Sequence, residues 1–482
     1  MKAKFLRLLI LSSFLVTGCS AEDMMFWKKK ESEPEQQQKE EEQIGGEQGG
    51  EQTPADPDPY YKKTVDVKME ALLKGGNDLY TLKFDYNDRL FLNDAEEYDK
   101  DLSLLSFGAA ISGTYKNWVE DFLDDCDFEN ITTHDMDIEP TSETLGYALA
   151  HKSIDDSELF SVIIRGHEYK REWSNNFIIG ETGDHEGWLA RTDELYTALS
   201  SYINQHKGEK TLKLWVVGYS RAGAISNMLA SYIFRNDGFG INAKNMFVYT
   251  FEAPAGLTGE HAIKYNNVHN IVNSADIVAH IPPTQYELYR CGNDFEIYNS
   301  NFGVYVANFD NEISIPAFVP CDSSDFGGQT ITNDAELTEY LINDIFSQKV
   351  SSDATAHNRE SYVANYQSGL SYSIGLLFAL SGTSRSAILA DPMNLGIVIM
   401  FDTDGSGLAD YLKPYLDSDH VDYDYDELVL ACAVFEKAFT NLFGTILNLY
   451  MGQTYSNNLT RILDMHYPEV TYCLLKNANS KL

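Results

Sequence analysis

The chain has 482 residues, 43% of them hydrophobic, and 36 Lys and Arg against 73 Asp and Glu give a formal net charge of −37. That length suits one α/β domain with a large insertion, or two domains. The acidity excludes a nucleic-acid partner, which needs clustered Lys and Arg, and opposes long-range attraction to anionic lipid headgroups.

Lys2, Lys4 and Arg7 precede or interrupt an apolar run, "FLRLLILSSFLV", that ends in "VTGCS". A charged start, a short apolar stretch and small residues describe a secretory signal over residues 1–18, too short to span a bilayer. The string "VTGC" resembles the lipobox of bacterial lipoproteins. On that resemblance Cys19 is acylated, and the mature chain is anchored to a cell membrane and faces outward. Within residues 19–60 the string "KKKESEPEQQQKEEEQIGGEQGGEQTPADPDP" is rich in Glu, Gln, Gly and Pro and has almost no apolar side chains. It buries too little surface to offset chain ordering, so a disordered tether is expected over these residues.

The folded body is expected to begin at residue 61. "TVDVKM", "DLYTLKFDY" and "RLFLN" read as short strands, and "KDLSLLSFGAAISGTY" and "NWVEDFLDDCDF" as helices. "TLGYALAHKS" and "LFSVIIRGHEY" form strand, turn, strand, the second apolar enough to be covered on both faces. Then come a helix, "WLARTDELYTALSSYINQH"; a strand, "LKLWVV"; a helix, "AGAISNMLASYIF"; and two strands, "NMFVYTFEAP" and "NVHNIVNSADIVAHIPP". Strands alternating with helices predict an α/β fold with a mainly parallel sheet covered on both faces, over residues 61–285.

Beyond Pro283 the alternation stops. Residues 284–330 read as irregular and aromatic, and helical patterns then dominate to about residue 455, as a cap or insertion spanning 286–455. Two of these helices are apolar, but Gly, Asp, Glu or Lys interrupts each within eighteen residues, so buried cap helices are expected rather than membrane spans. Residues 456–482 are expected to return to the core. Of the cysteines after Cys19, none forms a CxxC pair; Cys291 and Cys321 share the irregular region and are candidates for a disulfide. "DTDGSGLAD" places Asp402, Asp404, Ser406 and Asp410 on calcium-loop positions, but Lys413 stands where a bidentate Glu is required. A surface turn is expected there, and no metal site.

The chemistry centres on "VVGYSRAGAISNMLA". A buried strand runs into Gly218, Ser220, Ala222 and Gly223 and then into a helix, as a nucleophile elbow requires. A serine hydroxyl attacks a carbonyl only when a base removes its proton. An imidazole serves when a carboxylate fixes its tautomer. Asp276 in "NSADIVAHIPP" follows an apolar strand after the serine and suits the acid. The order nucleophile, acid, histidine leaves His280, His357, His420 and His466 as bases. His280 is only four residues past the acid, His420 lies in an acidic loop, and His357 precedes a helix. His185 in "DHEGW" reads as a structural, hydrogen-bonded histidine.

"VVGYSRAGAISNMLA" resembles the elbow of the class 3 (triacylglycerol) lipases of the α/β-hydrolase fold, in a bacterial branch that reads GYSR. "VIIRGHEYKREWSNNF", "DHEGWLARTDEL", "VYTFEAPAG" and "NIVNSADIVAHIPP" are similar to further segments of that family and occur in its order. The resemblance implies a serine hydrolase with Ser220 as nucleophile, Asp276 as acid, and the backbone N–H groups of Arg221 and His167 as oxyanion donors. "HYPEVTY" is similar to the family's terminal segment and implies His466 as base, with His357 as the runner-up. The substrate implied is a lipid or other carboxylic ester, with no cofactor and a monomeric enzyme. The alternative expectation is a non-catalytic, surface-anchored binding module that retains the fold.

Overall fold

The computed structural model describes residues 60–76, 78–136, 145–166, 176, 178–180, 182–236, 238–324, 326, 328–346, 380, 384, 387–388, 398, 404–441 and 456–478. The expected signal, Cys19 and the tether up to residue 59, as well as His167, His357 and Asp402, lie outside the described residues.

Strict alternation makes the first element a hairpin. Strands β1 (Lys62–Glu70) and β2 (Leu79–Asn87) pair antiparallel along their full length, in a two-stranded sheet of their own. Val65, Val67, Met69, Leu82, Phe84 and Tyr86 all face inward, as a period of two dictates. The expected third strand, "RLFLN", is instead a 3-10 turn over Asp88–Phe91. The Asn87 side chain accepts the Arg89 N–H and stops the extended chain, and Phe91 packs edge-on against Trp215 and Phe247. Helices α1 (Lys100–Ser112) and α2 (Lys116–Asp125) follow. The Asp99 carboxylate caps α1 by accepting the N–H groups of Asp101 and Leu102.

The main sheet has seven strands. Strands β3 (Glu129–His134), β4 (Tyr147–Ile154) and β5 (Ser157–Ile164) form an antiparallel meander. Helix α3 (Glu186–His206) then crosses to β6 (Thr211–Tyr219), and α4 (Arg221–Arg235) to β7 (Met246–Phe251). A two-residue strand β8 (Leu257–Thr258) precedes β9 (Val268–Val272). β10 (Leu288–Tyr289) pairs with β8, and β11 (Asn293–Glu296) closes the sheet beside β9. The order is β11-β9-β7-β6-β5-β4-β3, parallel from β5 to β11. This is the architecture of the α/β-hydrolase fold, as expected. The sheet runs past the expected boundary at residue 285, because β11 takes up the free edge of β9. The region read as irregular also holds helix α5 (Phe302–Phe309).

Each central strand sends alternate side chains to two cores. Trp215, Val217, Phe247, Tyr249 and Phe251 pack with the hairpin, α1 and α2. Leu214, Val216, Met246 and Val248 pack with α3 and α4 on the other face. A third core belongs to the cap: α6 (Asp334–Tyr340), α7 (Ser406–Ser418), α8 (Tyr425–Asn441) and α9 (Ser456–Asp464) contribute Leu337, Leu412, Leu428 and Ile462. Ile277 and Val278, just after β9, join this core, so the cap rests on a loop of the sheet. The last helix, α10 (Pro468–Asn477), returns to the hairpin face. No helix among the described residues is long and apolar enough to cross a membrane.

The candidate Cys291–Cys321 disulfide is not formed. Cys291 and Cys321 are buried in different cores. Cys291 donates its S–H to the Asn227 carbonyl (3.3 Å), and burial pushes its thiol well up. In the acidic string at 402–410, Asp404 accepts the N–H and hydroxyl of Ser406 (3.1 and 2.6 Å), the turn that starts α7.

Candidate active site

β6 is buried along nearly its whole length and delivers Ser220 to the carboxyl end of the sheet, where parallel strands expose their loops. Ser220 has φ 57° and ψ −128°, a conformation that costs a non-glycine residue on the order of 1–3 kcal/mol. The surroundings hold it there. Its N–H donates to the Phe251 carbonyl at the end of β7 (2.8 Å), and α4 begins at the next residue. The turn is tight enough that a Cβ on Gly218 would sit 2.3 Å from the Ala222 carbonyl oxygen. A Cβ on Gly223 would meet that of Ala253 at 2.9 Å. These contacts explain the small residues around the serine.

The structure brings Ser220, His466 and Asp276 together. His466 Nε2 lies 2.8 Å from Ser220 Oγ, and His466 Nδ1 lies 2.6 Å from Asp276 Oδ2. A proton on Nδ1 donates to the carboxylate, which leaves Nε2 to accept from the serine hydroxyl. Asp276 is fully buried, and its Oδ1 accepts the Val278 N–H (2.9 Å). A turn beyond β9 sets its position: its N–H donates to the Asn273 carbonyl (2.8 Å).

His466 sits between α9 and α10, and both flanks are anchored. Pro468 at the first turn of α10 tolerates the missing N–H there and fixes the entry angle. On the other side Arg461 of α9 donates through Nε and Nη2 to the two oxygens of Asp334 in α6 (2.7 and 2.5 Å). Both partners are buried, and the guanidinium lies over the Phe302 ring. The sheet holds the loop itself. Tyr219 donates its hydroxyl to the His466 carbonyl (2.7 Å), and Asn273 donates its side-chain N–H to that of Met465 (3.3 Å). Thr471 of α10 donates to Glu252, the residue just after β7 (3.0 Å). Three neighbouring strand ends, at Tyr219, Glu252 and Asn273, therefore grip the segment that carries the imidazole. None of the three was singled out as functional from sequence. The cue was an acid in "TFEAP", placed directly after six buried residues.

Arg221 and the segment leading to His167 stay beside the elbow, whereas the other histidines separate from it. Arg221 is the first residue of α4, with its amide at the positive end of the helix. Gly166, which leads into His167, runs beside the elbow, and a Cβ there would sit 2.1 Å from the Tyr219 carbonyl oxygen. His280 turns away and donates from Nε2 to the Ser274 carbonyl (3.1 Å); burial and then Arg290 push its imidazole down. His420 lies in the turn after α7. His185 is buried, stacks on Trp188 at 3.7 Å and lies 3.1 Å from the Asn176 carbonyl through Nε2.

Residues 161–286 match the family model described as Lipase (class 3). A curated lipase of Rhizomucor miehei is 27% identical over 202 residues, which covers 38% of this chain and 54% of the relative. The chain thus spans about half the length of the curated relative it matches. Among solved structures, the Rhizomucor miehei triacylglyceride lipase is similar with a TM-score of 0.33 at 19% identity, covering 42% of this chain and 80% of that one. Lipase II from Rhizopus niveus gives 0.32 at 14% identity, covering 41% and 80%.

Proposed function

We propose that the chain is a serine hydrolase that cleaves carboxylic esters of the lipid type, anchored through a lipid on Cys19 and facing outward from a cell membrane. The observation that carries the hydrolase reading is the unbroken sequence of contacts from buried Asp276 through His466 to Ser220, on a strained turn ahead of a helix. The match of residues 161–286 to the class 3 lipase model supports the ester as substrate.

In the proposed reaction Ser220 Oγ attacks the acyl carbon while His466 Nε2 takes its proton. Asp276 stabilises the imidazolium through Nδ1. The tetrahedral oxyanion is held by the backbone N–H groups of Arg221 and His167, worth about 3–4 kcal/mol of barrier for each donor. Collapse expels the alcohol, which receives the proton from His466. Water then repeats the sequence on the acyl-enzyme, releasing the acid and restoring the serine. Neither half-reaction calls for a cofactor, and the chain acts as a monomer.

The test is labelling of the purified protein by a fluorophosphonate probe, alongside a chain-length panel of p-nitrophenyl and glycerol esters. Labelling lost in Ser220→Ala and in His466→Ala, but kept in His357→Ala, is the expected result. An unlabelled wild-type protein favours a binding module that keeps the fold. Anchoring is tested separately: radiolabelled fatty acid should be incorporated by the wild type and not by Cys19→Ser.

A further inference from the structure

A second carboxyl group stands behind the first. Glu252 follows β7 with φ 50°, a left-handed conformation uncommon for a residue with a long side chain. Its carboxyl is fully buried. Oε2 accepts the Asn273 N–H (2.9 Å) and Oε1 accepts the Thr471 hydroxyl (3.0 Å); the Asn273 carbonyl in turn accepts the Asp276 N–H (2.8 Å), so both carboxyl groups are tied to one buried turn, near enough for the charge of one to act on the other.

Two carboxyl groups buried beside one another do not both ionise. Asp276 has the stronger claim to the charge, because it faces His466 Nδ1 and the Val278 N–H. Glu252 receives one neutral amide and one hydroxyl. Its side chain also bridges the end of β7, the turn holding Asp276 and helix α10.

We propose that Glu252 is held as a neutral carboxylic acid whose O–H donates to the Asp276 carboxylate, a positioning residue that locks the acid of the site against the sheet. The titratable groups that face it are Asp276 on the turn after β9 and Tyr219 at the end of β6; His280 and His466 lie on the far side of Asp276, and Glu469 of α10 beyond Tyr219. Burial, and then the negative charge of Asp276, push the Glu252 carboxyl well above the usual carboxylate range. Below that raised value Glu252 therefore keeps its proton and donates it to Asp276, while its oxygens go on accepting from Asn273 and Thr471. Once alkaline pH removes its proton, the hydrogen bond is replaced by repulsion, and Asp276 is pushed off its register with His466.

The kinetic consequence rests on the hydrolase reading; the proton on Glu252 does not. The test uses the full chain and has two arms. An infrared difference spectrum at neutral pH, wild type minus Glu252→Gln, should show the C=O stretch of a protonated carboxylic acid. In kcat/KM for a p-nitrophenyl ester, Glu252→Gln keeps an N–H donor and should lose about threefold, whereas Glu252→Ala should lose about tenfold or more. The alkaline decline of the wild-type profile should vanish in Glu252→Gln, with the acidic limb unmoved. A missing acid band overturns the proposal, as does an acidic limb that drops by about a full pH unit in Glu252→Gln, the mark of removing an ionised carboxylate near His466. If the wild type hydrolyses no ester, the hydrolase reading fails while the infrared band still decides the protonation.

Discussion

Replacing Gly166 by alanine tests whether the strand leading into His167 must lie against the elbow. The added Cβ would stand 2.1 Å from the carbonyl oxygen of Tyr219 and 3.0 Å from its carbonyl carbon. Both atoms are backbone, one residue before the serine, so no rotamer change relieves the contact. Restoring an ordinary separation parts the two strand ends by about 1 Å, and a displacement of that size costs on the order of 10² in rate. That loss is about 2.7 kcal/mol of barrier. The same overpacking lowers stability by about 1–3 kcal/mol. The assay is kcat/KM on a p-nitrophenyl ester together with a denaturant melt. Gly208→Ala serves as the comparison, since Gly208 has φ 58° and nothing within 4 Å of its would-be Cβ. That variant should lose about 1–2 kcal/mol of stability through left-handed strain and leave the rate unchanged. A Gly166→Ala enzyme with kcat/KM within about threefold of wild type would refute the reasoning.

Further outcomes follow from the same geometry. Asp276→Asn keeps the shape but loses control of the His466 tautomer, so kcat should fall by about 10⁴ with the melt little changed. Asp334→Ala leaves the Arg461 guanidinium buried without its carboxylate, and the denaturant midpoint should report a loss of about 3–5 kcal/mol. Glu252→Gln should alter how stability depends on pH. The raised folded-state value means that the protonated acid favours folding below the ordinary value of 4.5 and that this contribution is lost as pH rises toward the folded value. The advantage of the variant over wild type should therefore grow by about 1.4 kcal/mol per pH unit above 4.5, measured by urea titrations at several pH values. A constant difference across that window would contradict a raised carboxyl.

The central strands were legible because they are covered on both faces: β5, β6 and β7 end in or consist of apolar runs, "LWVV" in β6 and "MFVYTF" in β7 among them. The edges were not. β3 reads "ENITTH" and β11 reads "NDFE", mostly exposed or half-buried, and polar edges carry no hydrophobic period. "RLFLN" misleads in the opposite sense, since its apolar residues plug a core from a turn instead of pairing. The serine could be found locally, because a turn that tight requires small neighbours at fixed offsets. The imidazole beside it could not be found that way, since it stands 246 residues further along and reaches the site only through tertiary packing. The grip of Tyr219, Glu252 and Asn273 joins three strand ends that only the sheet order makes adjacent.

The proposed base, His466, comes from a segment 190 residues beyond the acid. Only when α10 is seated beside the hairpin, where Glu469 accepts the Leu73 N–H and Lys100 reaches the Ala478 carbonyl, do the proposed serine and acid have their base within reach. A product cut short before residue 466 would be silent, however well its sheet had formed.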